Sequence, residues 1–232
     1  PEIPWPSGLR VLVVGAGVSG ICVGANLKRL GVDFEIIEKN EEFGGTWWEN
    51  RYPGAGVDTP NHIYSFSFAP NDWSRYFALQ GELLSYFRSV ADRVGLREKT
   101  RFSTRVEEAR WDGDSRNWVL RLRDAQGTLT TERCDILMSA VGVLNTPQVP
   151  DIPGADTFPG ISTHTAQWPE DLDVTGKHVA LVGNGASGMQ VAPAIADKVA
   201  SLTIFARSKQ WAAPFPQFQK KVPDAVRHLL MG

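Results

Sequence analysis

Three glycines in the stretch GAGVSG have the spacing of a phosphate-binding turn. Gly15, Gly17 and Gly20 form GxGxxG between an apolar run and a helical stretch. At such a turn the first glycine permits the bend, the second lets a pyrophosphate approach the backbone, and the third lets helix pack on strand. The N–H groups at the helix start then face the phosphates. The sequence therefore predicts a dinucleotide site at this turn.

The acid that follows this turn indicates which dinucleotide it takes. Glu38 ends the next predicted strand, eighteen residues after Gly20. An acid there accepts hydrogen bonds from a ribose diol and would repel a 2′-phosphate. We therefore expect FAD or NAD and not NADP, with a solvated charge at a strand end as the alternative for Glu38.

A second turn of the same type follows a predicted strand at Val179 to Val182. Its residues are Gly183, Gly185, Ser187 and Gly188. The next predicted strand, Ser201 to Ala206, ends in Arg207 and Ser208 in place of an acid. A guanidinium can hold a phosphate with two parallel hydrogen bonds, so this site favours NADP. A solvated surface charge is the alternative for Arg207.

Two sites for different dinucleotides suggest that NADPH delivers hydride to a flavin. Reductases, disulfide oxidoreductases and monooxygenases share this arrangement. A disulfide oxidoreductase needs a redox-active cysteine pair, whereas Cys22 and Cys134 are far apart and form no CxxC. The same two cysteines give no basis for a zinc site or a disulfide framework and favour a cytoplasmic setting.

The elements around the two turns predict an α/β fold with two Rossmann-like dinucleotide-binding domains and parallel sheets. The first strand is expected at Leu9 to Val14, and a helix with one apolar face at residues 81–96. A hairpin turning at Asp124 to Gly127 is inserted before a buried strand at Asp135 to Ala140, which we expect to return to the first sheet. We predict an FAD-binding domain at residues 1–150, an interdomain linker at 151–172, and a truncated NADP-binding domain at 173–232.

The composition and charge of the chain argue against two classes of binding partner, nucleic acids and membranes. The formal net charge is -2, and no run of basic residues interleaves with aromatic ones, so nucleic acid is not an expected partner. The longest apolar run, Val11 to Val14, is too short to span a bilayer, and the Pro-rich start is not a signal peptide. No membrane contact is expected.

Beyond these features, the sequence resembles the Baeyer–Villiger monooxygenases. Their fingerprint FxGxxxHxxxW(P/D) is matched by Phe158, Gly160, His164, Trp168 and Pro169, with a GxGxxG on either side. The segment from Gly44 to Pro60 is similar to the family's segment between flavin and substrate. The stretch GVDTPNHIYSFSF is most similar to the 4-hydroxyacetophenone monooxygenase branch.

The resemblance implies a reaction and its site residues. NADPH would reduce FAD, and O₂ would give a C4a-peroxyflavin that inserts oxygen into a ketone, forming an ester or lactone. Gly45, Thr46 and Trp47 would contact the cofactor, and Asp58 matches the family acid that positions a catalytic arginine. Without the resemblance, Asp58 would be interpreted as a turn residue.

We interpret the fingerprint segment as an interdomain linker. Pro159, Gly160 and the Ser and Thr content disfavour a helix, so an extended segment would point His164 and Trp168 the same way. Both side chains are expected to dock onto the domains and govern their relative motion, a conformational role.

The catalytic arginine and the segment that closes the flavin site are expected beyond residue 232. We therefore expect this chain to be an N-terminal fragment, inactive alone. An N- or S-oxygenating flavin monooxygenase and a dinucleotide-binding module without turnover remain alternatives.

Overall fold

The computed structural model describes residues 8–231 and divides them into two compact units. The first unit runs to Trp48 and resumes at Leu84–Asn145; the second unit holds Glu49–Leu83 and everything from Thr146 onward. This division differs from the predicted boundaries at residues 150 and 172, because residues 49–83 group with the second glycine turn. The Pro-rich start, where we predict no signal peptide, lies outside the described residues as far as residue 7.

The described residues form nine strands and five α-helices. The strands are β1 Val11–Val14, β2 Phe34–Ile37, β3 Thr100–Arg101, β4 Arg105–Asp112, β5 Asn117–Arg123, β6 Leu129–Cys134, β7 Ile136–Ser139, β8 His178–Val182 and β9 Ser201–Phe205. The α-helices are α1 Val18–Arg29, α2 Thr46–Glu49, α3 Gln80–Val94, α4 Ala186–Ile195 and α5 Asp224–Met231. None of the helices within residues 8–231 is long and apolar enough to cross a membrane.

A parallel sheet forms the centre of the first unit, in the order β3-β2-β1-β7. Its central strand β1 is a run of buried β-branched and leucine side chains, as expected of a strand covered on both faces. Strand β7 pairs with β1 in parallel, which confirms the predicted return to the first sheet. Its residues are half-buried or exposed instead of buried.

The predicted hairpin belongs to a second, antiparallel sheet of the order β4-β5-β6. Strands β5 and β6 pair around the turn at Asp124 to Gly127, which confirms the predicted turn. Leu120, Leu122 and Cys134 from this sheet form one buried cluster with Leu12 and Ile37 of the parallel sheet. The first unit therefore has a core shared by its two sheets.

The second unit contains the short parallel sheet β8-β9. Its core joins Val191 and Ile195 of α4 to Tyr52 and Ala55, which come from much earlier in the chain. Partly buried side chains surround this cluster: Trp168, Val174, Val179, Val199 and Leu202. Two parallel sheets, each with a helix after its first strand, confirm the predicted α/β class.

Candidate functional site

The first glycine turn is shaped by two contacts that leave no room for a side chain. Gly15 has φ of +103°, and a Cβ there would stand 2.5 Å from the carbonyl oxygen of Ala140. A Cβ on Gly20 would stand 1.9 Å from the carbonyl oxygen of Gly15. Gly17 differs, because an added Cβ would make only ordinary contacts, at 3.5 Å from the Cα and 3.9 Å from the nitrogen of Gly45. Gly15 and Gly20 therefore build the turn, while Gly17 leaves space in front of it.

The start of α1 has the features of an anion-binding helix N-terminus. Gly17 is the N-cap, without a side-chain hydrogen bond to the cap, and no acid lies in the first helical turn. The N–H groups of a helix start and its partial positive charge favour a negative group. The first turn therefore presents donors that a pyrophosphate can use.

Glu38 lies behind this turn and is 3% exposed. Its Oε2 accepts a hydrogen bond from the backbone N–H of Ala16 at 2.6 Å, and its Oε1 accepts one from that of Asn40 at 2.8 Å. The alternative of a solvated strand-end charge is therefore wrong. An ionised carboxylate has about four lone-pair sites, so Glu38 keeps acceptor capacity beyond these two bonds.

The Gly45–Trp47 segment lies against the same turn. The N–H of Gly44 donates to the carbonyl oxygen of Ala16 at 3.1 Å. Gly45 has φ of +52°, and a Cβ there would stand 2.9 Å from the Cα of Gly17. Thr46 opens α2 and is exposed, whereas Trp47 is buried. The structure thus places Gly45, which directly precedes α2, against the turn that Glu38 supports.

The second glycine turn repeats the geometry of the first. Gly183 also has φ of +103°, and a Cβ on Gly188 would stand 2.6 Å from the carbonyl oxygen of Gly183. Gly185 is the N-cap of α4, without a side-chain cap and with no acid in the first turn. A Cβ on Gly183 or Gly185 would meet nothing within 4 Å among the described residues. Ser187 is half-buried in that first helical turn.

Arg207 lies one residue after the position in the second unit that is equivalent to Glu38 in the first, whereas the sequence predicts that the two positions correspond. The N–H of Gly15 donates to the carbonyl oxygen of Ile37 at 2.8 Å, and the N–H of Gly183 donates to that of Phe205 at 2.9 Å. By this register the residue equivalent to Glu38 is Ala206, so the predicted correspondence is wrong by one residue. β9 ends at Phe205, one residue before its predicted end.

The loop after β9 is nevertheless tied to the second turn. Asn184 Nδ2 donates to the carbonyl oxygen of Ser208 at 2.9 Å. Arg207 and Ser208 are both exposed. A guanidinium and a hydroxyl therefore follow the strand beside the open turn, where a phosphate could be held.

The fingerprint segment contains a turn where an extended chain is predicted. Thr165–Gln167 form a 3₁₀ turn between His164 and Trp168. The turn is closed by His164, whose Nδ1 accepts a hydrogen bond from the N–H of Ala166 at 3.1 Å. A local side-chain bond of this type competes with extended backbone. Trp168 packs on the core of the second unit, and Gly160 lies under Phe158, whose Cε1 would be 2.6 Å from an added Cβ.

Asp58 is exposed, and its side chain accepts a hydrogen bond from Thr59 Oγ1 at 3.4 Å. Among the described residues, no hydrogen bond joins its carboxylate to another predicted site residue. The preceding segment is held on α4 by Tyr52 and Gln190, which sequence reasoning missed. The available signal was the glycine pair in PGAG and the glutamine in GASGMQ.

Comparison with known proteins identifies the family of this chain. The sequence profile of the pyridine nucleotide-disulphide oxidoreductases matches residues 12–230. An uncharacterized monooxygenase of Sinorhizobium fredii is 46% identical over 98% of this chain and 34% of its own length. A Baeyer-Villiger monooxygenase of Streptomyces coelicolor is 44% identical over 95% of this chain and 42% of its own length.

Solved structures give the same result. Cyclohexanone monooxygenase with ε-caprolactone bound superposes with a TM-score of 0.87 at 34% identity, covering 96% of this chain and 43% of that one. A steroid monooxygenase bound to NADP superposes with a TM-score of 0.83 at 36% identity, and the match covers 95% of this chain and 43% of that one.

The chain therefore spans between a third and a half of the length of these proteins. Its cysteines are free, with Cys22 half-buried and Cys134 buried, so the disulphide chemistry in the profile's description has no paired cysteines here. The chain belongs to the pyridine nucleotide-disulphide oxidoreductase family, and it is similar to proteins named Baeyer-Villiger monooxygenases.

Proposed function

We propose that the full-length protein is a flavin-dependent monooxygenase that uses NADPH and O₂ to convert a ketone into an ester or lactone. The observation that carries this proposal is a pair of glycine turns with one geometry, each with a side chain of opposite charge just after the next strand. Glu38 follows the first turn and Arg207 the second. Relatives named Baeyer-Villiger monooxygenases support the same conclusion.

FAD fits the first unit on the chemistry of its donors and acceptors. The uncapped start of α1 offers N–H groups to a pyrophosphate, and Gly17 lets that group approach the backbone. Glu38 has lone pairs left for ribose hydroxyls. The Gly45–Trp47 segment borders the space in front of the turn. In this proposal FAD, when bound, supplies the redox chemistry.

NADPH fits the second unit for parallel reasons. The start of α4 is uncapped, and both Gly183 and Gly185 face open space. Arg207 and Ser208 would hold the 2′-phosphate, because a guanidinium and a hydroxyl both donate hydrogen bonds to phosphate oxygens. Structures of two related monooxygenases are described with NADP or with FAD and NADP, which supports the assignment.

The remaining predicted residues would hold the segments around the reaction site in place and would help to exclude water from it. Trp168 fixes the fingerprint segment on the core of the second unit, and His164 shapes the turn beside it. We propose that Asp58 presents its carboxylate to a cationic partner, as the family resemblance implies. Closing the reaction site against water would protect reactive species from side reactions. The likeness to the 4-hydroxyacetophenone branch stays a prediction, as does a cytoplasmic location.

The experiment is a product analysis with the purified full-length protein. We expect bound FAD, consumption of NADPH in preference to NADH, and an ester or lactone from a ketone. The same protein is offered a thioether. Sulfoxide formation without any ester would support an S-oxygenating enzyme instead, and a chain that retains FAD but turns over neither compound would contradict the proposal.

A further inference from the structure

Gln190 lies in the second turn of α4, and its side-chain amide joins two points of the segment that leads to Asp58. The Tyr52 hydroxyl donates to Gln190 Oε1 at 2.7 Å, and Gln190 Nε2 donates to the carbonyl oxygen of Gly56 at 2.9 Å. A carbonyl oxygen can only accept, so Nε2 must face Gly56 and Oε1 is left for the hydroxyl. The amide therefore has one orientation, with both ends occupied.

The backbone of α4 supports the same segment at Gly54. This residue has φ of +80°, and a Cβ there would stand 2.4 Å from the carbonyl oxygen of Gln190 and 2.9 Å from the Cβ of Ala194. On either side of it, Tyr52 and Ala55 are buried against α4. An apolar cluster, a close backbone contact and a two-ended amide thus hold the segment on one helix.

The direction of the Asp58 carboxylate depends on this arrangement. Asp58 is exposed, and its side chain is bonded to its neighbour Thr59. The backbone just before it is fixed at Gly56 by Gln190 and at Val57, whose N–H donates to Ala78 at 3.1 Å. Where Asp58 points is therefore set by its backbone more than by its own contacts.

We infer that Gln190 is a positioning residue that couples dinucleotide binding at the start of α4 to the placement of Asp58. This inference rests on the proposed function, which assigns NADPH to the second glycine turn. A phosphate at that turn would order the first turn of α4, and Gln190 lies one turn later on the same helix. The occupied site would then steady the backbone from Tyr52 to Asp58.

Hydrogen exchange of this segment tests the coupling in the full-length protein loaded with FAD. Gln190→Met removes both hydrogen bonds at similar length, and Tyr52→Phe removes one while keeping the ring in the cluster. Gln126→Met, at the exposed hairpin turn, is the matched control. The amides of Ala55 and Val57 are followed with and without NADP⁺, whose dissociation constant is measured by calorimetry.

We expect NADP⁺ to slow exchange at both amides in the wild type and in the control. In Gln190→Met the exchange without NADP⁺ should be about two- to tenfold faster, as expected for a lost hydrogen bond. The slowing by NADP⁺ should also disappear, although NADP⁺ still binds. Tyr52→Phe should give an intermediate effect, which keeps the test open if Gln190→Met folds poorly.

Turnover supplies a second readout that a purely structural residue would not move selectively. Gln190→Met should keep the KM for NADPH and lower the amount of ester formed per NADPH oxidised. Normal NADP⁺ binding with unchanged exchange and unchanged product yield would overturn the coupling alone. Failure of the wild type to bind NADP⁺ would overturn the proposed function and the coupling with it.

Discussion

Gly17 and Gly20 lie three residues apart, yet alanine at each position should cause a different defect. At Gly20 an added Cβ would be 1.9 Å from the carbonyl oxygen of Gly15, about 1.5 Å inside the shortest ordinary contact of 3.4 Å. At Gly17 the nearest atom would be 3.5 Å away, which is an ordinary contact. Gly20→Ala should therefore damage the fold, whereas Gly17→Ala should damage dinucleotide binding.

The expected magnitudes follow from these contacts. Forcing a methyl group into a packed site costs about 1–3 kcal/mol or more, and here the obstacle is backbone, so we expect about 3 kcal/mol for Gly20→Ala. At about 2–4 °C per kcal/mol for a unit of 150–250 residues that unfolds independently, the melting temperature of the transition that includes this turn should fall by about 6–12 °C. Gly17→Ala changes an N-cap and should cost about 1 kcal/mol or less.

The affinity for FAD should show the opposite order, with the larger loss in Gly17→Ala. A methyl group on Gly17 would stand where a phosphate approaches the N–H groups of α1. Losing one charge-assisted hydrogen bond, worth about 1.5–3 kcal/mol, would weaken FAD binding about 10- to 150-fold. The assay is thermal unfolding of the FAD-free full-length protein, followed by titration with FAD, with Gly81→Ala as control because an added Cβ there meets nothing within 4 Å.

Two results would refute this reasoning. The first is a Gly20→Ala variant that melts with the wild type, since the turn would then accommodate a side chain. The second is a Gly17→Ala variant that loses as much stability as Gly20→Ala, because the space at Gly17 would then be structural.

Four further predictions concern other parts of the site and the core. Arg207→Ala should raise the KM for NADPH at least about tenfold and leave that for NADH unchanged, since only NADPH loses a phosphate partner; equal effects on both would contradict the assignment. Trp168→Ala should lower the free energy of unfolding by about 2–4 kcal/mol in urea titrations. His164→Ala should slow flavin reduction or oxygenation with FAD still bound, and His164→Asn should rescue it by keeping an acceptor for the cap. The Arg101 guanidinium beside Glu132 lowers the pKa of that carboxyl below its ordinary value of 4.5, so its contribution to stability is present above that pH and is lost as the pH falls through the lowered pKa. Unfolding measured from about pH 6 to about pH 3 should show this loss, and Glu132→Gln should reduce it.

The parts of the site that were predicted from the sequence depend on local geometry. A positive φ at Gly15 and Gly183 and the close packing at Gly20 and Gly188 require glycine at fixed spacing. Such requirements are visible in any sequence that contains the turn. The return of β7 to the first sheet was also predictable, because a short apolar strand needs neighbours on both sides.

The parts that were missed depend on contacts between distant residues. The glycine pair in PGAG indicates a close contact but does not identify α4 as the partner of residues 49–83, because the contact at Gly54 is made by a backbone atom of Gln190. The one-residue shift at Arg207 has a different cause: strand ends cannot be placed within one residue from an apolar pattern. The turn at Thr165–Gln167 needed a capping histidine, which propensities do not anticipate.

The discontinuity of the second unit has a consequence for biosynthesis. Gln190 leaves the ribosome 134 residues after Gly56. At a synthesis rate of about 5–20 residues per second, this interval lasts roughly 7 to 27 s. Throughout it the nascent chain carries Tyr52 and Ala55 without the helix that covers them. The core of the second unit can therefore form only after α4 has emerged, and we expect the segment from Tyr52 to Ala55 to depend on chaperones at the ribosome more than the hairpin β5-β6, whose strands emerge in succession.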